Sequence, residues 1–197
     1  MTSLEAALRR IDRDLAQARQ PFALVGGLAV SARTEPRFTR DADLAVAVGS
    51  DAEAEALVLG LRASGYRIAS VLEQETVGRL ATVRLAPTPT PRATVIDLLF
   101  ASSGIEAEIV EEAETIELLP RLPIRVATVG HLIALKVLSR DDEKRPQDSV
   151  DLRALLRVAS EADLLRARLA IVAITDRGYG RGRDLVGALN DLLRSAG

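Results

Sequence analysis

Two kinds of sequence pattern divide the chain near residue 127, and this change most constrains its fold. Before that position, short apolar runs alternate with amphipathic stretches, which predicts strands interleaved with helices. From Thr128 onward only helical periodicity remains. The sequence therefore predicts an α/β (α+β) domain over residues 1–127, with a mixed sheet and flanking helices. A C-terminal helical bundle is predicted over residues 128–197.

The predicted elements follow from apolar spacing, capping residues and turn residues. Strands are predicted at residues 22–25, 41–48, 66–72, 77–85, 94–100, 115–118 and 123–126. Helices are predicted at residues 3–18, 28–32, 51–63, 104–112, 129–138, 147–158, 161–174 and 183–195. A polar loop is expected over residues 33–39, and the proline-rich residues 87–91 are expected to form a surface turn. Side-chain caps are predicted at Thr2, Ser50, Thr128 and Ser160.

Composition excludes several classes of chemistry. With 48% hydrophobic and 27% charged residues, the 197-residue chain has the balance of a globular protein. It has no cysteine, which excludes disulfides, a thiol nucleophile and cysteine-ligated metals. His131 is the only histidine, so a histidine relay or a two-histidine metal site is excluded as well. The chemistry must depend on carboxylates, arginines, lysines, hydroxyls and the backbone.

Charge and hydropathy bear on partners and location. Residues 1–120 hold 12 basic and 18 acidic side chains, whereas residues 121–197 hold 14 and 10. The C-terminal part is therefore the part that could receive a polyanion. The N-terminus has no apolar signal region, and no apolar run is long enough to span a membrane. We expect a cytoplasmic protein with no membrane partner.

The segment from residue 22 to residue 47 contains the first candidate site residues. A predicted strand runs into Gly26 and Gly27 where a short helix begins. Glycine allows close backbone approach, and a helix N-terminus presents free N–H groups, so this turn suits a phosphate. Asp41 and Asp43 are two residues apart on the next predicted strand, which places both carboxylates on one face.

Further charged residues extend this pattern. Arg33, Arg37 and Arg40 lie in the predicted connecting loop, near enough to meet a polyphosphate. Asp97 lies in the middle of an apolar strand, where an unpaired carboxylate is costly to bury. Together with Asp41 and Asp43 it would form an oxygen-only site of the kind that Mg²⁺ prefers. Two such ions could promote nucleotidyl transfer from an NTP to a hydroxyl.

Structural interpretations of the same residues remain open at this stage. Gly26 and Gly27 could form only a tight turn, and Asp41 and Asp43 could be solvated carboxylates at a strand end. Asp97 could instead pair with a buried arginine. The three features in this order nevertheless favour a nucleotide site.

The glycine pair, the arginine loop, the run Thr39-Arg40-Asp41-Ala42-Asp43 and the later Asp97 resemble the nucleotidyltransferase superfamily of the polymerase-β type. Residues 131–156 resemble the AbiEii/AbiGii-type nucleotidyltransferases, which are toxins of type IV toxin–antitoxin systems. The resemblance covers about residues 20–155. It implies a Mg²⁺-dependent enzyme that transfers NMP from an NTP to an RNA hydroxyl, at the 3′ end of tRNA. A cognate antitoxin protein is the other implied partner.

The resemblance also assigns roles to individual residues. Lys136 would contact the triphosphate, and Asp148, with Asp151 as the alternative, would close the site from the helical part. Lys136 could otherwise be a snorkelling lysine, and Asp148 a first-turn acid that complements a helix dipole. The chain departs from the family in having Leu28 and Ala29 after the glycine pair, so Ser31 is the first hydroxyl there. Phosphate contacts therefore fall to backbone N–H groups, to Ser31 or to the arginines.

The expected site comprises three groups of residues. The catalytic residues are Asp41, Asp43, Asp97 and Lys136, with Asp97 nearest the attacking hydroxyl. The nucleotide-binding residues are Gly26, Gly27, Ser31, Arg33, Arg40, Lys136 and Asp148. The metal ligands are Asp41, Asp43 and Asp97.

Two alternative functions remain. One is AMP transfer to a hydroxyl of a protein or of a small molecule such as an aminoglycoside. The other is a module that binds a nucleotide or a partner protein without turnover. All three expected carboxylates are present in the sequence, which argues against the non-catalytic alternative.

Overall fold

The computed structural model describes residues 2–36, 39, 41–74, 77–86, 94–141 and 146–196. Its first elements are α1 (Ser3–Gln17), β1 (Phe22–Val25), α2 (Gly26–Arg33), β2 (Asp41–Val46), α3 (Asp51–Ala63), β3 (Arg67–Gln74), β4 (Arg79–Ala86), β5 (Val95–Leu99), α4 (Glu106–Glu111), β6 (Glu114–Leu119) and β7 (Leu122–Val126). They are followed by α5 (Val129–Ser139), α6 (Pro146–Val158), α7 (Glu161–Asp176) and α8 (Leu185–Ala196). The predicted change from mixed to purely helical structure is confirmed for the described residues.

The strands form one mixed sheet in the order β3-β4-β5-β2-β1-β7-β6. The pairs β2–β5 and β1–β7 are parallel, and the other neighbours are antiparallel. β2 is the middle strand, and Ala42 and Leu44 on it are fully buried while Asp41 and Asp43 are partly exposed. This alternation places the two aspartates together on one face of the sheet.

The helix starts agree with the predicted caps. The side-chain oxygens of the four cap residues accept hydrogen bonds from backbone N–H groups three residues later, in the pairs Thr2–Glu5, Ser50–Glu53, Thr128–His131 and Ser160–Asp163. These bonds satisfy N–H groups that a helix leaves unpaired at its N-terminus. Local sequence therefore determines where these four helices begin.

The helical part packs directly on the sheet part. α5 is buried along most of its length and contacts α2, α6 and α7. At Gly130 a Cβ atom would lie 2.5 Å from the backbone oxygen of Asp163, so α5 and α7 approach closely only because this residue has no side chain. One hydrophobic cluster contains residues of both parts. The domain division at residues 127/128 stays a prediction.

Several predicted boundaries differ from the structure by one or two residues. The short helix begins at Gly26 and ends at Arg33, whereas the sequence predicted residues 28–32 followed by a loop. Gly26 has a φ of +66°, which lets the chain turn from β1 into the helix without an intervening loop. β2 ends at Val46, two residues before the predicted end. The predicted proline-rich turn lies outside the described residues.

In the described ranges, none of the helices is both long enough and apolar enough to cross a membrane.

Candidate functional site

A cavity of about 700 Å³ lies between the sheet and the helical part. Its walls come from the start of α2, from β2, β4 and β5, and from α5, α6 and the segment before α8. Seven of the predicted site residues line it, namely Gly26, Gly27, Asp41, Asp43, Asp97, Lys136 and Asp148. Residues more than 120 positions apart in the sequence therefore meet at one cleft.

The carboxylates of the sheet are brought together by strand register. Asp43 on β2 is the register partner of Asp97 on the parallel strand β5, and Asp41 lies two residues before Asp43 on the same face. Neighbouring strands are about 4.8 Å apart, so the two facing carboxylates are close enough to repel one another strongly. Such an arrangement requires a positive charge nearby.

Arg84 supplies that charge in this structure. It is the register partner of Asp97 on the other side, on β4. Its Nε donates to Oδ1 of Asp97 at 2.8 Å and its Nη2 donates to Oδ2 at 2.7 Å. The hydrogen bond to Asp97, with the nearby charges of Asp97, Asp41 and Asp43, raises the pKa of the Arg84 guanidinium above its usual value, although partial burial opposes this. Asp97 therefore pairs with an arginine, as its structural interpretation predicts, but the Arg84 side chain is 46% exposed and not buried.

The donor set at this position can be compared with what a divalent cation requires. Asp41, Asp43 and Asp97 offer only carboxylate oxygens from one face of the sheet, which is the chemistry that Mg²⁺ takes in proteins. As arranged, with Arg84 on both oxygens of Asp97, no group of three or more His, Cys, Asp or Glu side chains among the described residues has the geometry of a metal site. The residue types fit Mg²⁺, whereas both oxygens of Asp97 are occupied by Arg84.

Gly26 is closely packed against Asp43. A Cβ atom at Gly26 would lie 1.9 Å from Oδ2 of Asp43, closer than any two such atoms can approach. The residue before the helix, Val25, makes no side-chain capping bond to the start of α2. Gly26 and Gly27 therefore present backbone to the cavity at a helix N-terminus, where an anion is favoured.

We expect Gly26→Ala to lower the rate of the nucleotidyl transfer predicted from the sequence about 100-fold, because displacing a group of the predicted catalytic set by about 1 Å costs roughly that factor. It should also lower the free energy of unfolding by about 1–2 kcal/mol, since alanine disfavours the left-handed backbone found there. Transfer assays and urea unfolding would measure the two effects.

A matched control is Gly60→Ala on α3, where an added Cβ meets nothing within 4 Å. It should leave transfer unchanged and should stabilise the helix by about 0.5–1 kcal/mol. Wild-type transfer by a folded Gly26→Ala variant would contradict the close fit of this glycine to Asp43.

On the helical side of the cavity, Lys136 is held between two aspartates. Its Nζ lies 2.7 Å from Oδ1 of Asp148 and 2.8 Å from Oδ2 of Asp151. All three side chains are at least nine-tenths buried. Asp148 also accepts from the Ser139 hydroxyl at 3.0 Å, and Asp151 accepts from Nε2 of Gln147 at 3.0 Å. The sequence offered Asp151 only as an alternative to Asp148, whereas the structure uses both.

Two predicted nucleotide-binding residues do not reach this cavity. The guanidinium of Arg33, on the last turn of α2, donates to the backbone oxygens of Ala127 and Val126 at 3.0 Å each and pairs with Glu114. The Ser31 hydroxyl donates to the Gly27 backbone oxygen at 3.1 Å. Arg33 was expected in a loop beside the phosphates; because α2 continues through it, its side chain instead joins the helix to the end of β7.

The other loop arginines, Arg37 and Arg40, lie outside the described residues. Thr39 is described and lines the cavity.

Sequence reasoning missed two arginines that line the cavity, Arg84 and Arg181. Arg84 lies on β4 between the buried residues Val83 and Leu85. A charged residue that alternates with apolar ones on a predicted strand indicates a side chain on the face opposite to theirs. Arg181 stands between Gly180 and Gly182 in the segment between α7 and α8, with a positive φ of 55°. An arginine flanked by two glycines between two predicted helices indicates a loop with a defined backbone turn.

The loop that carries Ser102 to the cavity follows β5 directly. Glu106 accepts hydrogen bonds from the backbone N–H groups of Ser102, Ser103 and Gly104 and from the Ser103 hydroxyl. Burial raises the pKa of Glu106, and the bonds from Ser103 and Ser102 oppose this. This carboxylate fixes the loop just beyond Asp97 rather than facing a ligand.

Comparisons with known proteins bear on the family and the fold of the chain. Residues 7–195 match the sequence profile of the family described as nucleotidyl transferase AbiEii toxin, type IV toxin–antitoxin system. Among curated proteins, no sequence gives a significant match.

Several solved structures share the fold. An antigenic nucleotidyltransferase-like protein from Paracoccidioides brasiliensis is 17% identical, with a TM-score of 0.55 over 95% of this chain and 92% of that one. The antibiotic-resistance factor ANT(2″)-Ia in solution is 21% identical, with a TM-score of 0.51 over 99% and 94%. The complex of ANT(2″)-Ia with adenylyl-2″-tobramycin is 17% identical, with a TM-score of 0.50 over both complete chains. At these identities the likeness concerns the fold.

Proposed function

The chain belongs to the AbiEii nucleotidyl transferase toxin family of type IV toxin–antitoxin systems, and from this we propose that it transfers NMP from an NTP to a hydroxyl at the 3′ end of tRNA. The observation that carries the proposal is the meeting of Asp41, Asp43 and Asp97 with the glycine turn in one cavity. A nucleotidyltransferase needs these two parts side by side, one for the triphosphate and one for the reacting phosphorus.

The proposed roles follow from position. The backbone N–H groups at Gly26 and Gly27 would bind phosphate oxygens at the start of α2. Lys136 would face the triphosphate from the helical side, and Asp148 would hold its ammonium group in place. Asp41, Asp43 and Asp97 would hold Mg²⁺, expected as two ions, and the bound metal would offset negative charge on the α-phosphate and on the leaving pyrophosphate.

In the proposed reaction, the acceptor hydroxyl oxygen forms a bond to the α-phosphorus. The bond from that phosphorus to the bridging oxygen breaks, pyrophosphate leaves, and the hydroxyl proton goes to the Asp97 carboxylate. Asp97 is suited to this role because it is 8% exposed at the cavity floor. Catalysis would consist mainly of positioning and electrostatic stabilisation.

The choice of RNA as acceptor rests on family membership and on charge. The C-terminal part has four more basic than acidic residues, and Arg181 lines the cavity from that side. A polyanionic acceptor would be favoured there, and its binding would weaken steeply with salt. A cognate antitoxin is the partner that the family implies.

Transfer of AMP to a small cationic molecule is the second candidate. Among the described residues, four aspartates and three basic residues line the cavity, so these side chains together carry a slight negative charge. An acidic cleft suits an aminoglycoside better than it suits RNA. The structural neighbour ANT(2″)-Ia was solved in complex with adenylyl-2″-tobramycin. That ligand is a property of the neighbour, and it suggests the acceptor class for this second candidate.

The test is incubation of the full chain with Mg²⁺ and each α-phosphate-labelled NTP, in parallel with tRNA, with protein acceptors and with an aminoglycoside. We expect label in tRNA, with one NTP preferred. Label in protein or aminoglycoside would replace tRNA as the acceptor. Nucleotide binding with no label in any acceptor would contradict the proposed activity.

A further inference from the structure

Three charged side chains form one row across the centre of the sheet. Arg84 on β4 is the register partner of Asp97 on β5, and Asp97 is the register partner of Asp43 on β2. All three line the same cavity. The row therefore places one cation at the end of two facing carboxylates.

The contact between Arg84 and Asp97 uses both oxygens of the carboxylate. The two hydrogen bonds of 2.8 and 2.7 Å form the bidentate arrangement that is strongest between arginine and a carboxylate. The Asp97 side chain is 11% exposed, whereas that of Arg84 is 46% exposed. The guanidinium thus has open space beside the cavity into which it can move, while Asp97 is fixed in the strand.

The guanidinium donates to both oxygens of Asp97, so a divalent cation that approaches this carboxylate meets a positive charge already bound there. Both cations serve one purpose, which is to offset the repulsion between Asp43 and Asp97 on neighbouring strands. Arg84 and a divalent cation are therefore alternatives at this carboxylate.

We propose that Arg84 is the resident counter-ion of Asp97 and competes with the divalent cation for it. Arg84 is a positioning residue: it holds the Asp97 carboxylate toward the cavity before the cation arrives and sets the affinity for that cation. Loading of the site breaks the Arg84–Asp97 pair and moves the guanidinium into the cavity. This proposal rests on the metal ligands assigned under the proposed function.

The chain contains a matched pair that lacks this role. Arg79 lies on the same strand, five residues before Arg84, and its Nε donates to Oδ1 of Asp51 at 3.0 Å. Neither Arg79 nor Asp51 lines the cavity. Removing the Arg79 charge therefore changes the net charge equally without changing the proposed competition.

The experiment measures Mn²⁺ binding to the full chain without nucleotide, by the electron paramagnetic resonance signal of free Mn²⁺. We expect Arg84→Met to bind Mn²⁺ about tenfold more tightly than wild type, since a charge-assisted pair no longer competes. Arg79→Met should bind like wild type, and Asp43→Asn should lose binding. An unchanged or weaker Mn²⁺ affinity in Arg84→Met would overturn the competition.

The Asp43→Asn arm separates this proposal from the metal assignment on which it rests. Loss of binding in Asp43→Asn with no effect of Arg84→Met would reject only the role of Arg84. Retained binding in Asp43→Asn would reject the metal ligands themselves and the competition with them.

Thermal unfolding with and without Mn²⁺ provides a second readout. Without Arg84, Asp97 loses its counter-ion beside Asp43, so the melting temperature of Arg84→Met should fall. Added Mn²⁺ should raise it by more than it raises that of wild type. If Arg84→Met does not fold, Arg84→Gln keeps hydrogen-bonding capacity without the charge and is subject to the same two measurements. An equal Mn²⁺ effect on wild type and variant would contradict the proposal.

Discussion

Asp43→Asn is expected to lower nucleotidyl transfer by about 10²–10³-fold or more, the loss typical when one preorganised electrostatic group is removed from a catalytic site. Asparagine keeps the shape of the side chain beside Gly26 and removes the negative charge at the centre of the carboxylate row. A neutral amide is a poor ligand for Mg²⁺ in this position. Pyrophosphate release and transfer of labelled NMP would both report the loss.

The control for Asp43→Asn is Asp191→Asn on α8, which removes the same charge from a side chain that is 71% exposed. It should leave both transfer and stability unchanged. Unfolding curves should show that Asp43→Asn is at least as stable as wild type, because the repulsion between Asp43 and Asp97 is relieved. A folded Asp43→Asn variant that transfers within a few-fold of wild type would refute the assignment of Asp43.

The sequence predicts Gly26, Asp41 and Asp43 at the cavity because their signals are local. Asp41 and Asp43 alternate with apolar residues, and this period places them on one face whatever the neighbouring strands are. Gly26 lies where a strand meets a helix, and its requirement for a positive φ is a property of this one residue. These local features can be predicted without knowing how distant parts of the chain pair.

Pairing between distant segments could not be predicted from the sequence in the same way. The contact of Arg84 with Asp97 depends on the register of β4 against β5, and a shift of one residue would turn Arg84 to the other face. The direction of Arg33 depends on whether α2 ends before or after it, and helix ends vary by one or two residues. Sequence spacing determines neither.

Lys136 depends both on local sequence and on the packing of distant segments. Its apolar surroundings on α5 indicated a snorkelling lysine, whereas the family resemblance implied a phosphate ligand and left Asp148 and Asp151 as alternatives. Both aspartates lie on α6, three residues apart, and helical periodicity places them on one side. Only the packing of α5 against α6 determines that this side faces Lys136 and that both carboxylates bind one ammonium group.

Lys136→Met is expected to lower the free energy of unfolding by about 3–5 kcal/mol, the cost of leaving a buried ion pair with one partner missing. Two buried carboxylates, Asp148 at 2% and Asp151 at 1% exposure, then lose the Lys136 ammonium group. Methionine fills nearly the same volume, so a cavity is not the cause of the loss. Urea unfolding monitored by circular dichroism would measure the change.

The triple variant Lys136→Met, Asp148→Asn, Asp151→Asn separates the structural role of this group from its role in transfer. Its stability should recover most of the loss, because no buried charge then remains without a partner. Transfer should stay as low as in Lys136→Met, because the triphosphate still lacks the Lys136 ammonium group. Recovery of transfer together with stability would instead show that Lys136 serves only to neutralise the two aspartates, and the nucleotide would then depend on the glycine turn and the sheet for its phosphate contacts.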